Sequence, residues 1–247
     1  KHRRRQRQMC IRDRLFILLF SISLGSAKEA RFESKIKYEY NVFLEVLNLK
    51  LGEASLSIKD PVKIYGIDVY HLNFNVRTTK LGDRIYKIRN KIDVWIDKNN
   101  LNVVKQNKNI SELRKKKNSE TVIINQKGTT NGKEFIAKEN VFDPYSLILI
   151  LSEFEIPKES SKKFNIVDAG KSREIEIKNL GPEMVRTPYG NKQGYKLSPV
   201  KNGQPVLKNK GDMEVSYVSI DEILVPAKIL IKLSNGVIEL RLKKISR

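Results

Sequence analysis

The sequence predicts a mainly β protein, built as one large curved antiparallel sheet, or a half-open barrel or sandwich, of about a dozen strands. Apolar and polar residues alternate along most of the chain, which is the period-2 pattern of strands that bury one face. Turn-forming residues interrupt this alternation every 8–12 residues or so, as in sandwiches and barrels. One segment has a helical spacing of apolar residues instead, so we expect a single buried helix near residues 144–155.

In the first part of the chain, apolar side chains at every second position mark the strands. Tyr38 and Tyr40, for example, alternate with Lys37 and Glu39, which makes one face apolar and the other charged. A basic run at residues 114–118 lies between two such segments, and we expect it to form a hairpin tip. The predicted strands are 36–44, 54–58, 70–76, 92–96, 122–124 and 134–137, the last of which follows an Asn131-Gly132 turn.

The second part of the chain continues the pattern. Ser234-Asn235-Gly236 joins the last two segments, and its Asn-Gly pair favours a tight hairpin turn. Residues 203–211 form a polar excursion between strands. The predicted strands centre on 175–177, 195–197, 215–217, 229–233 and 238–242.

The apolar segment after Asp143 predicts the helix. Asp143 is a suitable N-cap, Pro144 a suitable first helical residue, and Pro157 ends the segment. The segment is apolar on nearly every side, so it should be buried. A buried strand would also fit residues 147–151, but the Asp-Pro start favours a helix. Leu147, Ile150, Leu151 and Phe154 share one face at helical spacing, and a weaker pattern predicts a second, shorter helix at residues 81–88.

An apolar run at Leu15–Ala27 predicts a secretory signal peptide over residues 1–27. The run is too short to span a bilayer, which needs about 20 apolar residues, but it has a basic flank and a small-residue exit. Residues 1–14 are either the basic start of this leader or a non-native scar, and the absence of Met at position 1 favours the scar. Cleavage after Ala27 would leave residues 28–247 as a single β-rich domain. No cysteine follows the apolar run, so we expect a protein of the Gram-negative periplasm without a lipid anchor.

The composition is strongly basic. The chain has 48 Lys and Arg residues against 28 Asp and Glu, a formal net charge of +20, and the excess is spread along the whole sequence. The favoured interpretation is a solvated surface whose lysines keep sheet edges from pairing. The alternative is attraction to an anionic membrane or polysaccharide surface. Export argues against a nucleic-acid partner.

The mature chain would contain His71 as its only histidine and no cysteine, since Cys10 lies in the leader. Disulfides, thiolate ligands and the usual zinc or copper sites are therefore not expected, and no motif calls for a cofactor. We assign no catalytic residue. Aspartates at the ends of elements are typical of turns and caps, and a hydrolase that uses Asp143 and Asp221 is the alternative to a non-enzymatic protein. The other two aspartates at such positions are Asp97 and Asp168.

Aromatic and apolar residues of the strands and the helix could line a ligand cavity, although an ordinary core explains them as well. The candidate ligand-binding residues are Tyr38, Tyr40, Phe74, Trp95, Leu147 and Leu151.

Several segments occur in the order of a known family. They are KYEYNVFLEVLNLKLGEASLSI (37–58), DVWIDKNNLNVVK (93–105), VFDPYSLILIL (141–151), residues 164–199 with the turn at 187–190, and VSIDEILVPAKILIKLSNGVIELRL (218–242). Together they resemble the exported bacterial family known as domain of unknown function 3108. The resemblance implies an envelope protein of mostly antiparallel β structure, and it implies no activity, cofactor or catalytic residue.

Two functions are compatible with these features. The leading expectation is a periplasmic binding or carrier protein for an apolar or lipid-like ligand, because half-open barrels can hold ligands inside. The alternative is an envelope structural or assembly factor that acts through protein contacts or anionic surface polymers. The sequence predicts no oligomeric state.

Overall fold

The chain folds into one large curved β-sheet with two short α-helices. The computed structural model describes Phe32 and residues 34–113, 115–201, 204–205, 212–233 and 236–247. Within these residues there are sixteen strands: β1 (Lys37–Leu44), β2 (Leu49–Ile64), β3 (Ile67–Thr78), β4 (Ile88–Asp97), β5 (Val103–Glu112), β6 (Lys115–Ile124), β7 (Lys127–Thr130), β8 (Lys133–Ile136), β9 (Val141–Phe142), β10 (Ser161–Asp168), β11 (Lys171–Thr187), β12 (Gly190–Lys201), β13 (Gln204–Pro205), β14 (Asp212–Ile220), β15 (Ile223–Leu233) and β16 (Gly236–Ser246).

The sheet consists of two meanders joined at the ends of the chain. The strand order is β8-β7-β6-β5-β4-β3-β2-β1-β16-β15-β14-β12-β11-β10-β9, with the short β13 paired only to β12. Neighbouring strands are antiparallel, except that β9 runs parallel to β10. The pairing of β1 with β16 therefore brings the first and last strands together at the middle of the sheet. The predicted mainly β, curved antiparallel fold is confirmed, apart from this one parallel pair.

The strand predictions miss β5, β7, β9, β10 and β13 and misplace one turn. The inner face of β5 carries the buried polar residues Gln106 and Lys108, so the apolar alternation that marks a strand is absent from its sequence. The basic residues 115–118, expected in a hairpin tip, belong to β6 instead. The strands β7, β9 and β13 have only two to four residues, which is too short for an alternation to stand out.

Tight turns with positive φ fix the register of many hairpins. Tyr65 and Gly66 (φ 50° and 79°) connect Ile64 to its partner Ile67, as a two-residue turn requires. In the last hairpin Leu233 pairs with Gly236. The predicted leader with its basic segment 1–14, residues 234–235 and most of the excursion at 203–211 lie outside the described residues.

Both predicted helices are present. Helix α1 spans Lys80–Tyr86, and α2 spans Pro144–Ile150 with a 3-10 turn, Leu151–Glu153, at its end. Asp143 caps α2 by accepting hydrogen bonds from the backbone N–H groups of Tyr145 (2.8 Å) and Ser146 (3.1 Å). The helix is shorter than expected, because Phe154 already has an extended backbone.

Helix α2 occupies the concave side of the sheet. Leu147, Leu149, Ile150 and Leu151 are buried in the main core cluster, whereas Ile148 and Phe154 are only partly buried. The Tyr217 hydroxyl donates a hydrogen bond to the carbonyl oxygen of Ile148 at 2.7 Å and so fastens the helix to β14. The buried face of α2 therefore differs from the expected one, since Leu149 takes the place of Phe154.

Leu151→Ala should destabilise the protein by about 2–5 kcal/mol, because it leaves a cavity between α2 and the sheet. Chemical denaturation measures this change, and Ile136→Ala, at a position that is 75% exposed, is the matched control with little expected effect. Equal stability of the two variants would show that α2 is a mobile lid and not part of the core.

Candidate functional site

The structure separates the six candidate ligand-binding residues. Five of them, Tyr38, Tyr40, Phe74, Leu147 and Leu151, lie in the core around α2. The Tyr40 hydroxyl donates a hydrogen bond to the carbonyl oxygen of Pro226 at 2.9 Å, so its polar end is already satisfied inside the protein. Trp95 lies on the opposite face of the sheet, where its ring stacks on His71 with 4.5 Å between centroids. These residues do not form one site.

His71 has a local structural environment on that outer face. Its Nε2 lies 2.8 Å from Asp93 Oδ1, and the Trp95 ring covers it. Partial burial is the main reason that the pKa of His71 is below its usual value, although Asp93 acts in the opposite direction. The ring is therefore mostly uncharged at neutral pH.

The two aspartates considered for hydrolysis lie in different surroundings. Asp221 is exposed in the turn between β14 and β15. Asp143 has no exposed side-chain surface, and its Oδ2 lies 2.9 Å from Lys108 Nζ. A second carboxylate contacts the same ammonium group, because Asp168 Oδ1 lies 3.0 Å from Lys108 Nζ. Asp143 is thus a helix cap and counter-ion that is closed to solvent.

The Lys108 ammonium group is the centre of this buried cluster. Burial alone would lower the pKa of Lys108, but the charges of Asp143 and Asp168 outweigh it and raise that pKa above its usual value. The Tyr145 ring faces the ammonium at 5.2 Å, and burial raises the pKa of Tyr145 to about 12. A lysine held protonated in this way is not a nucleophile.

The cluster holds together parts of the sheet that are far apart in strand order. Lys108 belongs to β5, Asp168 ends β10, and Asp143 begins α2. Close by, Gly170 approaches β7 so closely that a Cβ atom there would lie 3.1 Å from Thr130 Oγ1. The ion cluster therefore ties the two meanders to each other across the opening of the sheet.

Lys108→Met should cost about 3–5 kcal/mol of stability, since it leaves the Asp143 carboxylate buried without a counter-ion. The matched control on the same strand is Lys105→Met, which removes the pair with Glu120 and the contact of the ammonium group with the Trp95 ring and should cost only about 1 kcal/mol. Denaturant titration compares the two variants. A Lys108→Met, Asp143→Asn double variant should recover part of the loss, and equal costs for the two single variants would contradict a buried ionic tie.

A second feature, the basic end, comprises the described residues of the ranges 80–89 and 112–117, which lie at one end of the sheet. The first range contains α1 and the start of β4, and the second contains the turn between β5 and β6. Ile88 pairs with Glu112, and the Leu113 N–H group donates a hydrogen bond to the Lys87 carbonyl oxygen at 2.8 Å. Two segments that are separate in sequence thus form one continuous surface.

Helix α1 is held firmly at this end. Thr79 caps it by accepting a hydrogen bond from the Gly82 N–H group at 3.2 Å, and the Thr79 N–H group donates to the Leu51 carbonyl oxygen at 2.8 Å. A Cβ atom at Gly82 would lie 2.1 Å from that same oxygen, so only glycine permits this contact.

An ion pair completes the support of α1. Arg89 donates hydrogen bonds to both carboxylate oxygens of Asp83 (2.9 and 2.7 Å), and the Thr78 hydroxyl adds a third at 2.5 Å. These donors, with Arg89 the strongest, keep the pKa of Asp83 below its usual value. Arg89 therefore neutralises the negative charge of Asp83. The other cations of the basic end form no ion pair with this carboxylate.

The basic end has a large excess of positive charge. Its described residues include seven Lys and Arg against Asp83 and Glu112, and Glu112 accepts a hydrogen bond from the side-chain amide of Asn90 at 2.7 Å. No carboxylate among the described residues pairs with the exposed side chains of Lys80, Arg84, Lys87 and Lys115–Lys117. The sequence shows the basic run at 114–118 and the helical pattern at 81–88. It does not indicate that the two segments come together in the fold.

Two small clefts also occur. One, of about 290 Å³, lies at the opposite end of the sheet between Asn102, Gln126 and Asn140, and the other, of about 220 Å³, lies on the outer face beside Arg77 and Lys243. Within the described part of the chain, no group of three or more histidine, cysteine, aspartate or glutamate residues is placed to hold a metal ion. None of the described helices is long and apolar enough to cross a membrane.

Comparison with known proteins identifies the family. The family model described as protein of unknown function, DUF3108, matches residues 36–243. The chain belongs to this family. The resemblance noted in the sequence is thereby confirmed, and the family itself carries no assigned function. None of the curated proteins matches the chain.

A solved structure shows the same kind of fold. A β-barrel-like protein of the domain of unknown function DUF1849 from Brucella abortus is 9% identical, with a TM-score of 0.52 and coverage of 86% of this chain and 97% of that one. A protein with a YmcC-like fold from Bacteroides fragilis is 10% identical over 87% and 97% of the two chains, and its TM-score of 0.35 carries no weight here. The first likeness supports a barrel-like architecture and says nothing about a ligand.

Proposed function

We propose that this member of the DUF3108 family is an exported envelope protein that binds phosphate-bearing anionic surfaces through its basic end. The observation that carries the proposal is the group of exposed cations around α1 and the β5–β6 turn, which have no carboxylate partner among the described residues. Clustered unpaired cations attract anionic headgroups and polymers over about one Debye length. The leader-like segment at 15–27 supports export.

The lipid-carrier function has less support. Helix α2, Tyr40 and Tyr217 occupy the concave side of the sheet, where a carried acyl chain would have to lie. The two clefts, of about 290 and 220 Å³, lie at or below the lower end of the range of about 300–1,000 Å³ for ligand pockets and contain several polar side chains. Native mass spectrometry of protein purified from cells distinguishes the two functions, because a carrier would retain a lipid of defined mass.

The protein should bind vesicles that contain phosphatidylglycerol and should not bind neutral phosphatidylcholine vesicles. It should also bind soluble polyphosphate, and both interactions should weaken strongly between about 0.05 and 0.5 M salt, since added ions screen exposed charges. Binding that is insensitive to salt, or equal for neutral and anionic vesicles, would contradict the proposal.

Replacing Lys115, Lys116 and Lys117 by Gln should weaken binding to both anionic probes by about ten- to a hundredfold, as expected for the loss of three cations near a charged surface. The control is the triple variant Lys98→Gln, Lys127→Gln, Lys138→Gln, which removes the same charge from exposed positions at the opposite end of the sheet. Co-sedimentation and fluorescence anisotropy measure the affinities. Equal effects of the two triple variants would mean that only the net charge matters and that the basic end is not a site.

A further inference from the structure

The basic end also carries a cluster of exposed apolar side chains. Three adjacent segments contribute to it: the 3-10 turn Glu45–Leu47 between β1 and β2, helix α1, and the turn between β5 and β6. Contiguous apolar surface of this kind, bordered by polar residues, marks contact with a protein or a membrane. The cluster consists of Val46, Leu47, Leu81, Ile85, Tyr86 and Leu113, which are between 39% and 75% exposed.

Backbone contacts hold α1 against β2, which the turn at 45–47 precedes, and against the turn between β5 and β6. The turn at 45–47 leads into β2, whose Leu51 carbonyl oxygen accepts the hydrogen bond from Thr79 at the start of α1. The Lys87 carbonyl oxygen at the end of α1 accepts the bond from Leu113. Leu81 and Ile85, four residues apart, lie on the same side of α1 and are exposed, whereas Gly82 packs against β2.

We propose that this apolar cluster inserts into the headgroup region of a bilayer leaflet rich in anionic phospholipid. The inference rests on the proposed function and names its partner, a lipid bilayer. Charge complementarity favours a membrane as the occupant, because Lys80, Arg84 and Lys87 accompany the apolar residues of α1 and have no carboxylate partner in the described part of the chain. Short apolar stretches with cations beside them bind the membrane interface in this way.

The side chains of the basic end match both parts of the membrane interface, the apolar part and the layer of charged phosphates. Lysine and arginine can place their aliphatic stems beside buried apolar groups while the charged ends reach the phosphates. Tyr86 has the amphipathic ring that is common at membrane interfaces. The Arg89–Asp83 pair and the close contact of Gly82 fix α1 beforehand, so little conformational entropy is lost on docking.

The test combines two substitutions in α1 with two probes. Leu81→Ser with Ile85→Ser should lower the affinity for phosphatidylglycerol vesicles about tenfold or more, while polyphosphate binding stays unchanged because the cations remain. The control, Leu180→Ser with Met184→Ser, alters two exposed apolar residues of β11 and should leave both affinities unchanged. Thermal melting verifies that each variant is folded.

A tryptophan probe tests insertion directly. In the variant Leu81→Trp, fluorescence should shift to the blue and be quenched by brominated lipid when anionic vesicles are added. The native Trp95 provides an internal control, because it stacks on His71 on the outer face of the sheet and should not be quenched.

The outcomes separate this proposal from the function on which it rests. Unchanged vesicle affinity in the Leu81→Ser, Ile85→Ser variant would overturn insertion, and the binding of anionic surfaces would stand if the Lys115–Lys117 variant still binds less tightly. No effect of either variant would overturn both. Self-association without lipid that this variant abolishes would identify the cluster as a contact between copies of the chain and would also overturn insertion.

Discussion

The rest of the structure depends on the insertion of α2 into the concave side of the sheet. A sheet of this size has an apolar inner face that must be covered, and an isolated helix of about seven residues is unstable in water. Each element therefore needs the other: the sheet buries Leu147, Leu149 and Ile150, and the helix fills the space that the curvature creates. The tyrosine hydroxyls that bond to interior carbonyl groups show that this space is a packed core.

The start of α2 buries the negative charge of its N-cap, and Lys108 compensates this charge. An aspartate N-cap stabilises a helix, but Asp143 is completely buried, and a buried carboxylate without a counter-ion is costly. Lys108 supplies the counter-ion from β5, and Asp168 at the end of β10 shares it. The same three side chains connect two strands that are remote in the sheet order, so one electrostatic requirement of the helix also helps to close the sheet.

Because the interior is packed, the proposed functional site lies on the surface. The basic end combines a rigid support, through Arg89 and Asp83, with cations that are free of carboxylates among the described residues. The function proposed for it and the further proposal of membrane insertion use different side chains of the same surface, lysines in one case and leucine and isoleucine in the other. They can therefore be tested independently on one protein.

Local patterns in the sequence predict much of this fold. The alternation around Tyr38 and Tyr40 and the Asp143-Pro144 helix start depend only on residues that are close along the chain, and the structure confirms both. The same local rules fail at β5. Strand prediction assumes an apolar inner face, and Lys108 can occupy that face only because Asp143 and Asp168, both distant in sequence, neutralise its charge.

Tertiary structure alone decides which of the chemically suggestive residues are neighbours. From the sequence, Asp143 and Asp221 both lie at the ends of elements, and Trp95 belongs with the other aromatic residues. The curvature of the sheet buries the first aspartate against Lys108 and leaves the second exposed, while the alternation of β4 turns Trp95 outward. Likewise, the sequence determines that residues 80–87 and 115–117 are basic, but only the antiparallel pairing of Ile88 with Glu112 places them side by side. Charge and periodicity are properties of single residues and their near neighbours, whereas a site depends on distances that the folded chain alone establishes.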